Sequence, residues 1–237
     1  MKFLKVKKYD ETFIKENLMG PNSLKIAEEL TSNLELHPGM KVLDLGCGKG
    51  LTSIFLAKEF GVTVYAADLW ISPEENIRRF QEMGLEHLIT PVHAEAGHLP
   101  FPKESFDAVI SIDAYHYFGR EPSFLDEKLA PFIKQNGLIA LAFPGLKNGV
   151  HDNLPPELLL SWTTEDLDTM QSPQWWNHLL SHSEKIRVRS IREMDCFAPC
   201  WDDWLSCDNE FAANDRKSMD AGAGAYMNLI SIIANKL

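Results

Sequence analysis

The stretch Val42-Leu43-Asp44-Leu45-Gly46-Cys47-Gly48-Lys49-Gly50 constrains this chain more than any other. An apolar strand is followed by glycine at every second position, so the backbone can turn sharply and approach a ligand with no side chain in the way. A nucleotide-like ligand fits such a loop; a plain structural turn is the alternative. Dinucleotide-binding loops space their glycines as G-x-G-x-x-G, so that the third packs the helix on the sheet and the helix N terminus meets a pyrophosphate. Here position 51 is leucine and that spacing fails.

Around the loop, short apolar runs alternate with helical periodicity. The pattern predicts a helix over 23–34, a strand over 41–45, a helix over 51–60, a strand over 63–67 and a helix over 73–83. Strands at 90–94 and 108–112, a helix over 123–133 and a strand over 138–143 continue it. Strand, helix, strand implies parallel pairing and a doubly wound α/β sheet. After Pro144-Gly145 the rhythm breaks, and 146–183 reads as a lid or substrate-shaping insert with a tryptophan-rich helix over 173–182. Strands at 185–194 and 226–234 close the sheet edge around an inserted helix over 202–221. One domain is expected, in four segments: an N-terminal helical cap (1–40), a cofactor-binding core (41–145), the insert (146–183) and the C-terminal strands with their helix (184–237).

Asp68 ends the second strand 22 positions after Gly46, near the separation at which an acid meets a ribose hydroxyl in such sheets. A helix N-cap is the alternative for it. The G-x-G-x-G spacing after Val42-Leu43-Asp44-Leu45 resembles motif I of the class I S-adenosylmethionine-dependent methyltransferases. Glu95-Ala96-Gly97-His98-Leu99-Pro100-Phe101 resembles the family's third motif, 106–118 its fourth, and Ile133-Lys134-Gln135-Asn136-Gly137-Leu138 its fifth. The resemblance covers about 41–143 and is to the small-molecule type, with motifs like those of ubiquinone and menaquinone methyltransferases. It implies a Rossmann-like, mostly parallel seven-stranded sheet with an antiparallel last strand, and S-adenosyl-L-methionine as cofactor. It also implies cofactor contacts from Asp44, Gly46, Cys47, Gly48, Gly50, Asp68, Leu69, Glu95, Ala96 and Ser111. In methyltransferases of this build the segment before the first helix, here Tyr9-Asp10 and Met19-Gly20-Pro21-Asn22, often folds over the cofactor.

Methyl transfer from a sulfonium is an in-line displacement, so the protein must chiefly align the acceptor and exclude water. If the acceptor arrives protonated, a base is needed. His116 is the first candidate, with Asp113 and Tyr117 as helpers. A surface or packing role at the start of a helix is the alternative for His116, and helix capping or binding an acceptor cation for Asp113. Trp162, Trp175, Trp176, Trp201 and Trp204 suit either an aromatic acceptor wall or ordinary packing. Cys196, Cys200 and Cys207 offer three thiolates and no adjacent histidine, so no metal site is expected.

The formal charge of −11, without any basic strip, argues against nucleic acid as a partner. The sequence has no apolar run of about 20 residues, and its start, Met1-Lys2-Phe3-Leu4, lacks the run and cleavage site of a secretory signal. Four cysteines are too few for a disulfide framework. A cytoplasmic monomer or homodimer without stable membrane association, acting on a small-molecule methyl acceptor, is the leading expectation. Cyclopropanation of lipid acyl chains, a catalytically silent S-adenosylmethionine-binding module and a nicotinamide-dependent oxidoreductase compete with it.

Overall fold

The computed structural model describes residues 2–237, so Met1 of the expected cap lies outside it. The seven strands are β1 (Lys41–Leu45), β2 (Thr63–Asp68), β3 (Ile89–His93), β4 (Phe106–Ile112), β5 (Ile133–Leu146), β6 (Ile186–Glu193) and β7 (Met227–Lys236). They form one sheet in the order β3-β2-β1-β4-β5-β7-β6. β1, β2, β3, β4 and β5 pair in parallel, and β7 runs antiparallel to both neighbours, β5 and β6. From β1 the chain winds first toward β2 and β3, then back to β4 and β5. That reversal opens a crevice beyond the carboxyl ends of β1 and β4, the usual ligand position in such sheets.

Both faces of the sheet are covered, which is why its strands read as continuous apolar runs. Successive residues of β1 serve opposite faces: Val42 packs in the layer that holds Ile54, Phe55, Phe80 and Trp204, and Leu43 in the layer that holds Tyr115, Leu129 and Trp176. Helix α1 (Glu11–Asn17) and helix α2 (Ser23–Leu30) form the N-terminal cap. Helix α3 (Leu51–Phe60) is bounded by Gly50 and Gly61, both with positive φ, the backbone conformation that glycine adopts without strain. Helix α4 (Pro73–Glu82) starts at a reciprocal Ser72–Glu75 capping box.

Three helix boundaries differ from the sequence reading. α2 ends at Leu30, where the Thr31 hydroxyl donates to the Ala27 carbonyl and the chain leaves the helix. The helix expected over 123–133 is a wide π-type turn, Phe124–Leu129, followed by a single 3-10 turn, Ala130–Phe132. Pro131 has no N–H to continue an α-helix, and β5 begins directly after, at Ile133. The four-residue helix α5 (Tyr115–Phe118) precedes this region; helices α6 (Thr164–Thr169) and α7 (Pro173–Leu180) follow it. The helix expected over 202–221 is two helices, α8 (Phe197–Leu205) and α9 (Glu210–Asp220), because Asn209 caps a new start by accepting from Phe211 N–H. No helix of the described residues is long and apolar enough to cross a membrane.

The carboxylate of Glu29 ties the cap to the far end of the chain. Buried on α2, it accepts from the Asp195 and Cys196 N–H groups at 3.0 and 2.8 Å and from Arg192 Nη1 at 3.0 Å. These bonds outweigh the cost of burial and hold its proton affinity below the ordinary carboxylate value.

Candidate active site

The crevice at the switch point is a cleft of about 520 Å³, within the usual range for small-molecule sites. One wall is the loop after β1, the next is Asp68-Leu69-Trp70 after β2, and the third is 94–98 after β3. The floor is Ile112-Asp113-Ala114 after β4, with Tyr117 and Phe118 from α5. Asn17, Met19, Gly20 and Pro21 cross the opening as a strap.

The glycines are required by geometry. A Cβ on Gly46 would overlap Ala114 Cβ, one on Gly50 would lie 2.5 Å from Phe80 Cε1, and one on Gly48 would lie 2.9 Å from Met19 Sδ. Gly46, Gly48 and Gly50 all have positive φ. The first and third therefore fit the loop to its own protein, and the second fits it to the strap.

The hydrogen bonds of this loop say what kind of ligand it suits. Gly46 and Cys47 N–H both donate to the Ala67 carbonyl, Gly48 N–H to Asp68 Oδ2 at 2.8 Å, and Gly50 N–H to the Cys47 carbonyl. A phosphate cradle needs free N–H donors, and here these donors are spent. Asp44 lies at the N terminus of α3, where Ser53 donates to it from both its hydroxyl, at 2.6 Å, and its backbone. A carboxylate of the protein thus accepts from the first turn of α3. Burial raises its proton affinity to about 7, the Ser53 bonds oppose that rise, and Asp68 adds to it; Oδ1 is buried without a partner.

Asp68 is the better-prepared acid. Oδ2 holds Gly48 N–H, and Oδ1 accepts from Trp70 and Ile71 N–H at 2.8 and 2.9 Å. Its orientation is fixed before any ligand arrives, with lone pairs left for a diol. Leu69 is exposed along the same wall, and Glu95 and Ala96 line the next one, where Glu95 pairs with His98 Nδ1 at 3.1 Å.

Four of the residues singled out in the sequence, Asp44, Gly50, Ser111 and His116, do not line the cleft. Asp44 sits behind the loop and does not line it. Ser111 is buried in β4 and donates to the Leu45 carbonyl at 2.7 Å, a bond between strands and not to a ligand. His116 has no exposed surface, packs at a tilt against the rings of Tyr117 and Phe143, and has no partner on either ring nitrogen. Burial, aided by the Arg120 charge, lowers its proton affinity to about 3, so it is a neutral packing side chain. Cys47 does line the cleft, yet its thiol is directed toward Asn76 and the Gly48 carbonyl, and burial pushes its proton affinity up.

Asp113 and Tyr117, in contrast, face the cleft. Asp113 has φ of +56°, a conformation in which Asp is tolerated better than most residues, and this turn starts α5 so that Tyr117 points outward and His116 inward. Burial, with a contribution from Asp215, lifts its proton affinity to about 8. Burial also raises that of the Tyr117 phenol, as do the neighbouring acids Asp113, Asp166 and Asp215.

The expected tryptophan wall is not here. Trp176, Trp201 and Trp204 are buried in the two core layers, Trp162 packs edge-on to Trp201 and Trp175 edge-on to Trp176. No residue of 146–183 lines the cleft. The aromatic that does is Trp70, 74% exposed, with its ring 6.4 Å from that of Tyr117 across the opening. Its signal in the sequence was a large aromatic in the short apolar run Leu69-Trp70-Ile71 between Asp68 and the Ser72 cap. Among the described residues no group of His, Cys, Asp and Glu is arranged to hold a metal.

Residues 42–137 match the model of the methyltransferase domain family. Over that stretch the chain is similar to a methyltransferase domain. A methyltransferase of Streptomyces halstedii, GfsG, is 32% identical over 119 residues, covering 50% of this chain and 42% of that protein. The chain spans less than half the length of the first curated relatives it matches. Among solved structures, geranyl diphosphate C-methyltransferase from Streptomyces coelicolor superposes with a TM-score of 0.72 at 16% identity, covering 91% of this chain and 79% of that one. The phosphoethanolamine N-methyltransferase 2 of Haemonchus contortus gives 0.72 at 16% identity, covering 99% and 60%. Both show the fold, at identities too low to carry more than that.

Proposed function

We propose that the cleft binds S-adenosyl-L-methionine and that the enzyme transfers the methyl group to a small-molecule acceptor. The observation that carries this reading is the glycine loop whose N–H donors are already spent. Donors spent on the protein itself suit a cofactor that has no phosphates. Asp68 would hold the ribose hydroxyls, Leu69 one face of the adenine, and Glu95 with the Ala96 backbone its amino group. Gly46 and Gly48 would lie along the methionine portion. When bound, the cofactor supplies an electrophilic methyl on a sulfonium.

The protein's part is alignment and exclusion of water. Met19, Gly20 and Pro21 cover the glycine loop. That strap is anchored by Asn22, whose Nδ2 donates to Asp203 Oδ2 at 2.6 Å, by Arg79 on Asn17 Oδ1 and by Lys49 on the Glu16 carbonyl. The same reading takes the protein as a cytoplasmic monomer or homodimer; gel filtration and cell fractionation test that part.

The test is to incubate the protein with S-adenosyl-L-methionine and a panel of amines, phenols, quinols and carboxylic acids, and to measure release of S-adenosylhomocysteine by mass spectrometry. Turnover of any of them supports the reading. Tight cofactor binding with no turnover across the panel would make the chain a silent binding module instead, and no cofactor binding would overturn the proposal.

A further inference from the structure

Three carboxylates line the cleft, and two have their partners within the protein. Asp68 is held by three backbone N–H groups and Glu95 by His98. Asp113, on the floor, has no hydrogen-bond or ion-pair partner for its side chain among the described residues, although it is withdrawn from bulk water. The charges nearest to it do not neutralise it. Asp215 on α9 is the charge that acts on it, Tyr117 lies beside it on α5, and Asp166 on α6 also acts on that phenol. The two lysines on the cleft wall are Lys49, which donates to the Glu16 carbonyl, and Lys128 from the π-type turn. A carboxylate taken out of water without a partner is costly to the fold, and the same lack of a partner is what a cationic ligand would satisfy.

Above this floor stand the two aromatic side chains at the mouth. Trp70 exposes most of its surface and Tyr117 about half. Their rings, 6.4 Å apart and tilted by 58°, come from opposite walls. An aromatic mouth over an acidic floor matches a ligand with an apolar body and a positive head. We propose that the acceptor is a primary or secondary amine with an apolar body, that Asp113 receives its ammonium group, and that Trp70 and Tyr117 flank its body. This names the acceptor class of the methyltransferase reading and rests on it.

The chemistry then balances. Asp113 takes one proton from the ammonium, an N–H bond breaking and an O–H bond forming. The freed nitrogen lone pair forms the new N–CH3 bond as the S–CH3 bond breaks, both electrons of that bond going to sulfur. The product leaves as the methylated ammonium, and Asp113 releases its proton to solvent through the mouth. Its raised proton affinity suits a carboxylate that must accept a proton near neutral pH.

The test is binding, not turnover. With the site saturated by S-adenosylhomocysteine, titrate phenethylamine and its neutral isostere 2-phenylethanol into the wild type, Asp113→Asn and Trp70→Ala by calorimetry. Asn tolerates the positive φ at 113, and Trp70 is a surface side chain, so both variants are expected to fold. The wild type should prefer the amine by at least tenfold. Asp113→Asn should weaken the amine about ten- to a hundredfold, the range of a lost charge-assisted hydrogen bond, without changing the alcohol. Trp70→Ala should weaken both ligands several-fold. Equal affinity for amine and alcohol would overturn the proposal. So would an Asp113→Asn variant that loses S-adenosylhomocysteine or S-adenosyl-L-methionine as strongly as the amine, because Asp113 would then serve the cofactor. Failure of the wild type to bind either cofactor form overturns the methyltransferase reading itself, and is distinct from both.

Discussion

Asp44→Asn should make the protein more stable, by an amount that depends on pH in a defined way. In the folded chain burial lifts the Asp44 proton affinity to about 7, from an ordinary value of 3.8. At about 1.36 kcal/mol for each tenfold change, ionising it costs the fold on the order of 4 kcal/mol. Below pH 4 the carboxyl is protonated in both states and its charge has no effect. Between about pH 4 and 7 the unfolded chain gives up the proton while the folded chain keeps it, so the wild type loses stability as pH rises. Above pH 7 the loss is complete and constant. Asparagine keeps an oxygen for the Ser53 hydroxyl and carries no charge, so the advantage of the variant should open from near zero at pH 4 to at most about 4 kcal/mol at pH 8. Urea unfolding of both proteins at half-unit pH intervals measures it directly. A gap that stays constant with pH, or a variant less stable than the wild type at pH 8, would refute the reasoning.

Gly48→Val should cut cofactor affinity at least tenfold by calorimetry, since its side chain would enter the space between the loop and Met19. The left-handed strain of about 1–2 kcal/mol should lower the melting temperature by only a few degrees, with the transition still cooperative. His116→Phe should leave turnover within about twofold, because the ring does not reach the cleft. In the wild type the unfolded chain takes up the imidazole proton as pH falls below 6.5 and the folded chain resists it down to about 3. The variant should therefore gain stability relative to wild type in acid, by about 2 kcal/mol at pH 5, and unchanged relative stability between pH 5 and 8 would contradict this. Glu29→Gln should destabilise the fold by about 2 kcal/mol in urea at pH 7 through its weakened bonds to Asp195, Cys196 and Arg192. Because the folded carboxyl is the stronger acid, that difference should shrink as pH falls below its ordinary 4.5.

The glycine loop and the placing of Asp68 beside it were legible because they are built from local rules. A buried strand, three glycines and an acid at the end of the next strand dictate their own geometry. Gly50 and Gly61 bound α3 as written, and β7 follows from a second apolar run after an interruption. The opposite side of the cleft was not legible, because it depends on which way single side chains turn. His116 and Tyr117 are neighbours on a four-residue helix, and only the left-handed Asp113 decides that tyrosine faces the cleft and histidine the core. Ser111 lies in β4, where its hydroxyl meets the Leu45 carbonyl of the adjacent strand, a pairing set by sheet register. The late tryptophans follow from core volume: 146–183 packs Trp176 against Phe143, with ring centroids 4.9 Å apart, and sends no side chain to the cleft. Trp70 carried a signal, a large aromatic in the apolar run Leu69-Trp70-Ile71 at a loop, that a reading centred on the aspartate two residues before it passes over.

Calorimetry of the purified wild type with S-adenosyl-L-methionine and, separately, with NAD tests the central claim most directly. The spent N–H donors of the glycine loop and the carboxylate at the start of α3 predict one binding site per chain for S-adenosyl-L-methionine and no heat from NAD. Binding of NAD at comparable affinity, or no binding of S-adenosyl-L-methionine, would contradict the account.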